Sequence, residues 1–147
     1  MPVAHFYLTA CTEEQERRLL EDGSARYAAI LESPLERVRI FVHHHPPAST
    51  AVGGRVVADT GQHAPYFSAL MLRGRPVEQR HQLLNELTEL LAEILCADRS
   101  LIRGLITEVD PDGWGIGGVP ASVLRADEIA ARAADRAGRG AAHVPPA

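Results

Sequence analysis

The chain has 147 residues, 46% of them hydrophobic and 23% charged, with a formal net charge of −4 at neutral pH. This is ordinary globular composition and enough chain for one modest core, which excludes wholesale disorder. The acidic balance without a long basic run argues against nucleic-acid binding, and no apolar stretch approaches the roughly 20 residues of a membrane span.

Met1-Pro2-Val3-Ala4-His5 has neither the basic nor the apolar region of a signal peptide, so a cytoplasmic location is expected. Residues 2–9 form a short apolar run that predicts a buried strand. Thr12-Glu13-Glu14-Gln15 has the spacing of a capping box and opens a first helix, whose apolar stripe runs through Leu19, Leu20, Tyr27, Ile30 and Leu31. A second strand is expected at about 36–43. Residues 44–64, with Pro46, Pro47, Gly53, Gly54 and Gly61, read as a linker. Residues 65–73 predict a third strand. Pro76 suits the first turn of a second helix, in which Leu83, Leu84, Leu87, Leu90, Leu91, Ile94 and Leu95 make one stripe. A fourth strand follows at 101–108. Beyond about 125 an alanine-rich stretch predicts a helix to roughly 137, and the tail from Gly138 reads as loose.

The elements repeat. Pro2 to Leu8 reads like Pro65 to Leu72; Glu14-Gln15, Leu19-Leu20, Val38-Arg39 and Gly53-Gly54 fall on Glu78-Gln79, Leu83-Leu84, Ile102-Arg103 and Gly117-Gly118, all 64 positions on. The chain is therefore read as a duplicated unit, residues 2–54 and 65–118, within one domain of residues 1–125 followed by a C-terminal helix and tail at 126–147. Each unit is strand, helix, strand with a right-handed crossover. The expected fold is α+β: a four-stranded sheet with both helices on one face, the other face covered by a further protomer.

The two cysteines, Cys11 and Cys96, form no disulfide framework or zinc motif and are expected to be buried or half-buried. His43-His44-His45 would alternate faces of a strand, with no carboxylate or cysteine at ligand spacing, so no metal is expected. His5 and Tyr27 stay undecided between the core and the edge of a site.

The second unit resembles 4-oxalocrotonate tautomerase over nearly its whole length. The resemblance is carried by Pro65, Leu72-Arg73-Gly74-Arg75 with Glu78-Gln79, Ile102-Arg103 running to Ile106-Thr107-Glu108, and Gly113-Trp114-Gly115-Ile116-Gly117-Gly118. The first unit is more divergent but begins with a proline directly after Met1, and the resemblance extends over residues 2 to about 120. The layout is similar to that of double-length members of this superfamily, among them malonate semialdehyde decarboxylase and cis-3-chloroacrylic acid dehalogenase. It implies a tautomerase fold, a homotrimer, a small carboxylate substrate and no cofactor.

It also directs attention to Pro2. Removal of Met1 would expose a secondary amine, and nearby guanidinium groups with partial burial would lower its pKa toward that of a working base. Pro65 is locked in a peptide bond, so one functional site per chain is expected. The resemblance assigns carboxylate binding to Arg73 and Arg75 of the second unit, with Arg39 and Arg103 as candidates for a further substrate arginine and Arg39 preferred; a planar guanidinium binds a carboxylate in two-point fashion. Trp114 takes the place of the aromatic that lowers the local dielectric.

The leading expectation is keto–enol tautomerisation of a 2-hydroxydienoate or pyruvate-like acid with Pro2 as general base. A second is decarboxylation or hydration of a three-carbon acid with Pro2 as general acid, supported by Glu36-Arg37, which resembles the Asp-Arg of the decarboxylase, and by Arg73-Gly74-Arg75. A carboxylate such as Glu36 beside Pro2 would favour the ammonium form. No residue matches the water-activating glutamate of the dehalogenases. A third reading is a non-catalytic binding protein that retains the fold.

Overall fold

The computed structural model describes residues 2–141, with side chains through Arg139. Strand β1 (Val3–Leu8) alternates strictly: Ala4, Phe6 and Leu8 point into the core while Val3, His5 and Tyr7 face the other way. Thr12 caps helix α1 (Glu13–Ile30) with the full reciprocal box, its hydroxyl accepting from the Gln15 N–H and the Gln15 side chain accepting from the Thr12 N–H. Strand β2 (Arg39–His44) then pairs in parallel with β1.

Residues 44–64, read as a linker, fold into a hairpin, β3 (Ala51–Val52) and β4 (Arg55–Val56), and a short helix α2 (Val57–Thr60). Gly53 and Gly54 form its two-residue turn, both at positive φ as a right-twisted hairpin demands. The second unit repeats every part: β5 (Tyr66–Leu72), α3 (Val77–Leu95), β6 (Arg103–Val109), a hairpin of β7 (Gly115–Ile116) and β8 (Val119–Pro120) turning at Gly117-Gly118, and α4 (Ala121–Leu124). Even the helix ends match. Glu32 after α1 and Cys96 after α3 are the non-glycine residues held at positive φ, at equivalent places where a helix ends in a left-handed residue.

The sheet order is β2-β1-β5-β6, with β1 and β5 antiparallel at the seam. Both helices cover one face. Their stripes are narrower than the leucine pattern implies: Leu19, Tyr27, Leu83, Leu87, Leu90, Leu91 and Ile94 are buried, while Leu20, Leu84 and Leu95 sit at the margin. Tyr27, wholly buried, shares its hydroxyl proton between the carbonyls of Leu70 (2.5 Å) and Val3 (3.2 Å), residues facing each other across the seam.

The opposite face has no cover among the described residues. Phe41 and Leu105 are about half exposed there, beside a ladder of stacked rings formed by His5, Tyr7, Phe41, His43 and Tyr66. Helix α5 (Ala126–Ala141) follows the second unit and runs into the stretch expected to be loose; residues 142–147 of that tail lie outside the described residues. Among the described residues no helix is long and apolar enough to cross a membrane.

Candidate active site

Antiparallel pairing of β1 with β5 decides what meets Pro2. Val3 stands opposite Leu70, so the start of β1 lies beside the end of β5 and the turn that follows it. Pro2 is buried there, its carbonyl accepting from the Arg39 N–H at 3.0 Å. It opens on a cavity of about 30 Å3 lined also by Leu31, Ser33 and Arg37 from the first unit, Met71, Leu72, Arg75 and Ile116 from the second, and Arg125 after α4.

Three arginines thus converge on Pro2 from three separate segments. Arg75, half-buried, is held by the Leu31 carbonyl at 2.7 Å and the Gln79 side-chain oxygen at 3.3 Å. Burial and the nearby Arg132 pull its guanidinium down to about 10, so it still carries its charge at neutral pH. Arg37, in the turn Leu35–Arg37 before β2, pairs with Glu128 of α5 at 3.0 Å. The hydrogen bond from Arg37 holds the Glu128 carboxyl below the usual range. Arg125 and Arg132 approach the same carboxylate at 3.5 and 3.6 Å. Cations therefore outnumber the anion, and the cluster suits a bound carboxylate.

The other residues singled out in the sequence lie elsewhere. Arg73 is 63% exposed at the side chain and pairs with Asp110 at 2.9 Å on the surface. Strand alternation puts Arg39 on the open face, its guanidinium turned back onto the carbonyls of Glu36 and Val38; Arg103 does the same with Ser100 and Ile102 in the second unit. Neither lines the Pro2 cavity. Glu36 is exposed and contributes its carbonyl rather than its carboxylate to that contact. Trp114 is half-buried with its indole N–H unpaired among the described residues, and Ile116 of the same hairpin is the side chain that reaches the cavity. Arg37 and Arg125 escaped site assignment from sequence. Arg37 was legible only as the neighbour of Glu36, and Arg125 falls outside the repeat.

The duplication leaves a second chamber at the far end of the seam. Pro65 lines a cavity of about 540 Å3, its carbonyl bonded to the Arg103 N–H as that of Pro2 is to Arg39. At the positions equivalent to Arg75 and Arg37 stand Cys11 and Leu101, and among the described residues no arginine lines it. Burial pushes the Cys11 thiol up.

The histidines divide as strand alternation requires. His43 joins His5 on the open face, ring nitrogens 2.8 Å apart, while His44 turns to Glu16 at 2.9 Å. Cys11 lies near His44 and Glu16, the three donor atoms within 4.8 Å of one another, so the fold brings together a carboxylate and a cysteine that the sequence does not place at ligand spacing.

Comparison with known proteins converges on one family. The family model described as "Tautomerase enzyme" matches residues 2–60 and again 68–123. The 2-hydroxymuconate tautomerase of Pseudomonas sp. (strain CF600) is 38% identical over 61 residues, 42% of this chain and 97% of that protein, so one such protein corresponds to about one unit. Among solved structures, native fused 4-OT superposes with a TM-score of 0.78 at 26% identity, covering 84% of this chain and 98% of its own. The F6 fused 4-OT, an asymmetric trimer, gives 0.76 at 25% identity over 83% and 98%.

Proposed function

The chain belongs to the tautomerase family of isomerases, and from that premise we propose that it moves a proton between the enol and keto forms of a small 2-hydroxydienoate or pyruvate-like carboxylate, with Pro2 as the base. The observation that carries this reading is the burial of Pro2 in a cavity lined by Arg37, Arg75 and Arg125. With Met1 removed, the Pro2 nitrogen is a secondary amine among three guanidinium groups. Positive neighbours and partial desolvation both disfavour its protonation, so the free amine is available near neutral pH.

In the step proposed, an arginine holds the substrate carboxylate and another hydrogen-bonds the 2-oxygen. The amine takes the enol O–H proton; the oxygen becomes a carbonyl as the double bond shifts, and the ammonium returns the proton to carbon. Apolar Met71, Leu72 and Ile116 keep the local dielectric low and strengthen each charge interaction. The decarboxylase alternative relies on a carboxylate beside Pro2, and Glu36 does not line the cavity. The open sheet face, with Phe41 and Leu105 exposed, supports a homotrimer as the working form, as in the F6 fused 4-OT.

The test is turnover of 2-hydroxymuconate and phenylenolpyruvate by native protein and by Pro2→Ala, once mass spectrometry has confirmed that Met1 is absent. Ketonisation that falls at least ~100-fold in the variant, the scale of a lost general base, supports the proposal. No ketonisation by processed native protein overturns it.

A further inference from the structure

Helix α5 begins beyond residue 123, where the family match ends, and solved fused relatives are covered almost completely while part of this chain is left over. Yet α5 turns its charged side toward the Pro2 end of the sheet. Glu128 Oε2 lies 3.0 Å from Arg37 Nη1, and Arg132 donates through Nε to the Glu128 carbonyl at 3.1 Å, fixing the residue from behind. Outside this contact lies a cleft of about 330 Å3, lined by Glu32, Glu128 and Arg132 among others. The cleft and the Pro2 cavity share Leu31, Ser33, Arg37 and Arg75. The two cavities therefore share a wall that includes both arginines.

The Pro2 cavity, about 30 Å3, holds roughly one water molecule. A substrate with several heavy atoms needs that wall to move, and the contact holding its Arg37 is carboxylate on guanidinium, the same chemistry by which a substrate carboxylate would bind. We propose that α5 is a latch over the Pro2 cavity and that Glu128 is a built-in carboxylate which an anionic substrate displaces from Arg37, so that Glu128 sets the affinity and anion selectivity of the site. This rests on the reading of the Pro2 cavity as a carboxylate site. Displacement exchanges one carboxylate for another on Arg37, with Arg75 and Arg125 already facing the Pro2 cavity. Only anions gain from the exchange, so neutral analogues leave the latch shut.

The probe is fumarate, a dicarboxylate that a tautomerase cannot isomerise, titrated calorimetrically into the full-length protein. Glu128→Gln keeps the shape and a hydrogen-bond acceptor but removes the competing charge, and should bind fumarate about fivefold more tightly, the scale of an exposed ion pair. Glu128→Ala should do so at least as strongly. Asp127→Asn, which removes the same charge from an exposed neighbouring position, should leave binding unchanged. With a turned-over substrate, Glu128→Gln should lower KM by a like factor and leave kcat unaltered. Unchanged or weaker fumarate binding by both Glu128 variants, or no binding by any form, overturns the latch. Because fumarate binding is read without turnover, tighter binding by an enzyme that ketonises nothing would uphold the latch while the tautomerase reading fell. Normal turnover with no Glu128 effect would do the reverse.

Discussion

Gly104 on β6 stands directly opposite Phe67 on β5, and the aromatic ring lies over it. In Gly104→Ala the new Cβ would sit 2.1, 2.4 and 2.7 Å from Cζ, Cε1 and Cε2 of that ring. Non-bonded carbons settle at about 3.5–4.0 Å, so ring and strand must separate by roughly 1.4 Å. The ring has nowhere to go, since Phe67 is 0% exposed and packed among the helix stripes. Strand β6 is at the sheet edge and can bow outward, at the expense of ladder bonds to β5. Overpacking of this kind costs about 1–3 kcal/mol, and alanine recovers about 0.4–1 kcal/mol by restricting the unfolded chain. With so large an overlap the upper part of the range applies, and the net loss expected is about 2 kcal/mol. Urea denaturation of wild type, Gly104→Ala, Phe67→Leu and the double variant measures it. The double variant should lose less than the sum of the singles, because the smaller side chain vacates the space the new methyl enters. A Gly104→Ala cost under about 0.5 kcal/mol, or strict additivity, would refute the steric argument.

Two further outcomes follow from the same geometry. Tyr27→Phe removes the donor shared by the Leu70 and Val3 carbonyls at the seam and should destabilise by about 1–3 kcal/mol without altering the Pro2 cavity, read as a lower urea midpoint. Desolvation, and secondarily His43, hold the His5 imidazole below its ordinary value of 6.5. The unfolded chain therefore binds the extra proton first: the contribution of neutral His5 is complete above about 6.5 and is lost as pH falls through the folded value. Denaturation midpoints at pH 7.5 and 5.5 should differ less in His5→Gln than in wild type; an equal or greater difference would count against the assignment.

The fold was legible because the repeat is written in residues that perform the same physical task twice. Gly53-Gly54 and Gly117-Gly118 must both supply two positive φ angles, and the helix stripes must both meet the sheet. What escaped the pattern is compensated volume between the units. Gly23 of α1 lies under Ile40 of β2, a Cβ there meeting Ile40 Cδ1 at 3.0 Å; the equivalent pair in the second unit is Leu87 on the helix and Gly104 on the strand, so bulk has moved from strand to helix. The site was half legible. Pro2 and Arg75 were named from the family resemblance, and the antiparallel pairing of the units carries one to the other. Arg39 was preferred over Arg103 and Arg37 was not weighed, because strand position does not reveal that the turn before β2, rather than β2 itself, faces the cavity. Arg125, Glu128 and Arg132 lie past the repeat, in an alanine-rich stretch whose charge spacing alone names no partner.

The chamber around Pro65 gives the fusion a chemical meaning. Joining the two units makes an amide of the second proline's nitrogen, so the linkage that doubles the chain leaves Pro65 without the free amine that Pro2 would gain on loss of Met1. Hydrolysis of the bond before Pro65 would give a secondary amine, but in a room of about 540 Å3 furnished with Cys11 and Leu101 where the Pro2 cavity has Arg75 and Arg37. The two ends of the seam thus differ twice, once in the backbone and once in the side chains. Making them alike would need two arginines as well as a new chain terminus.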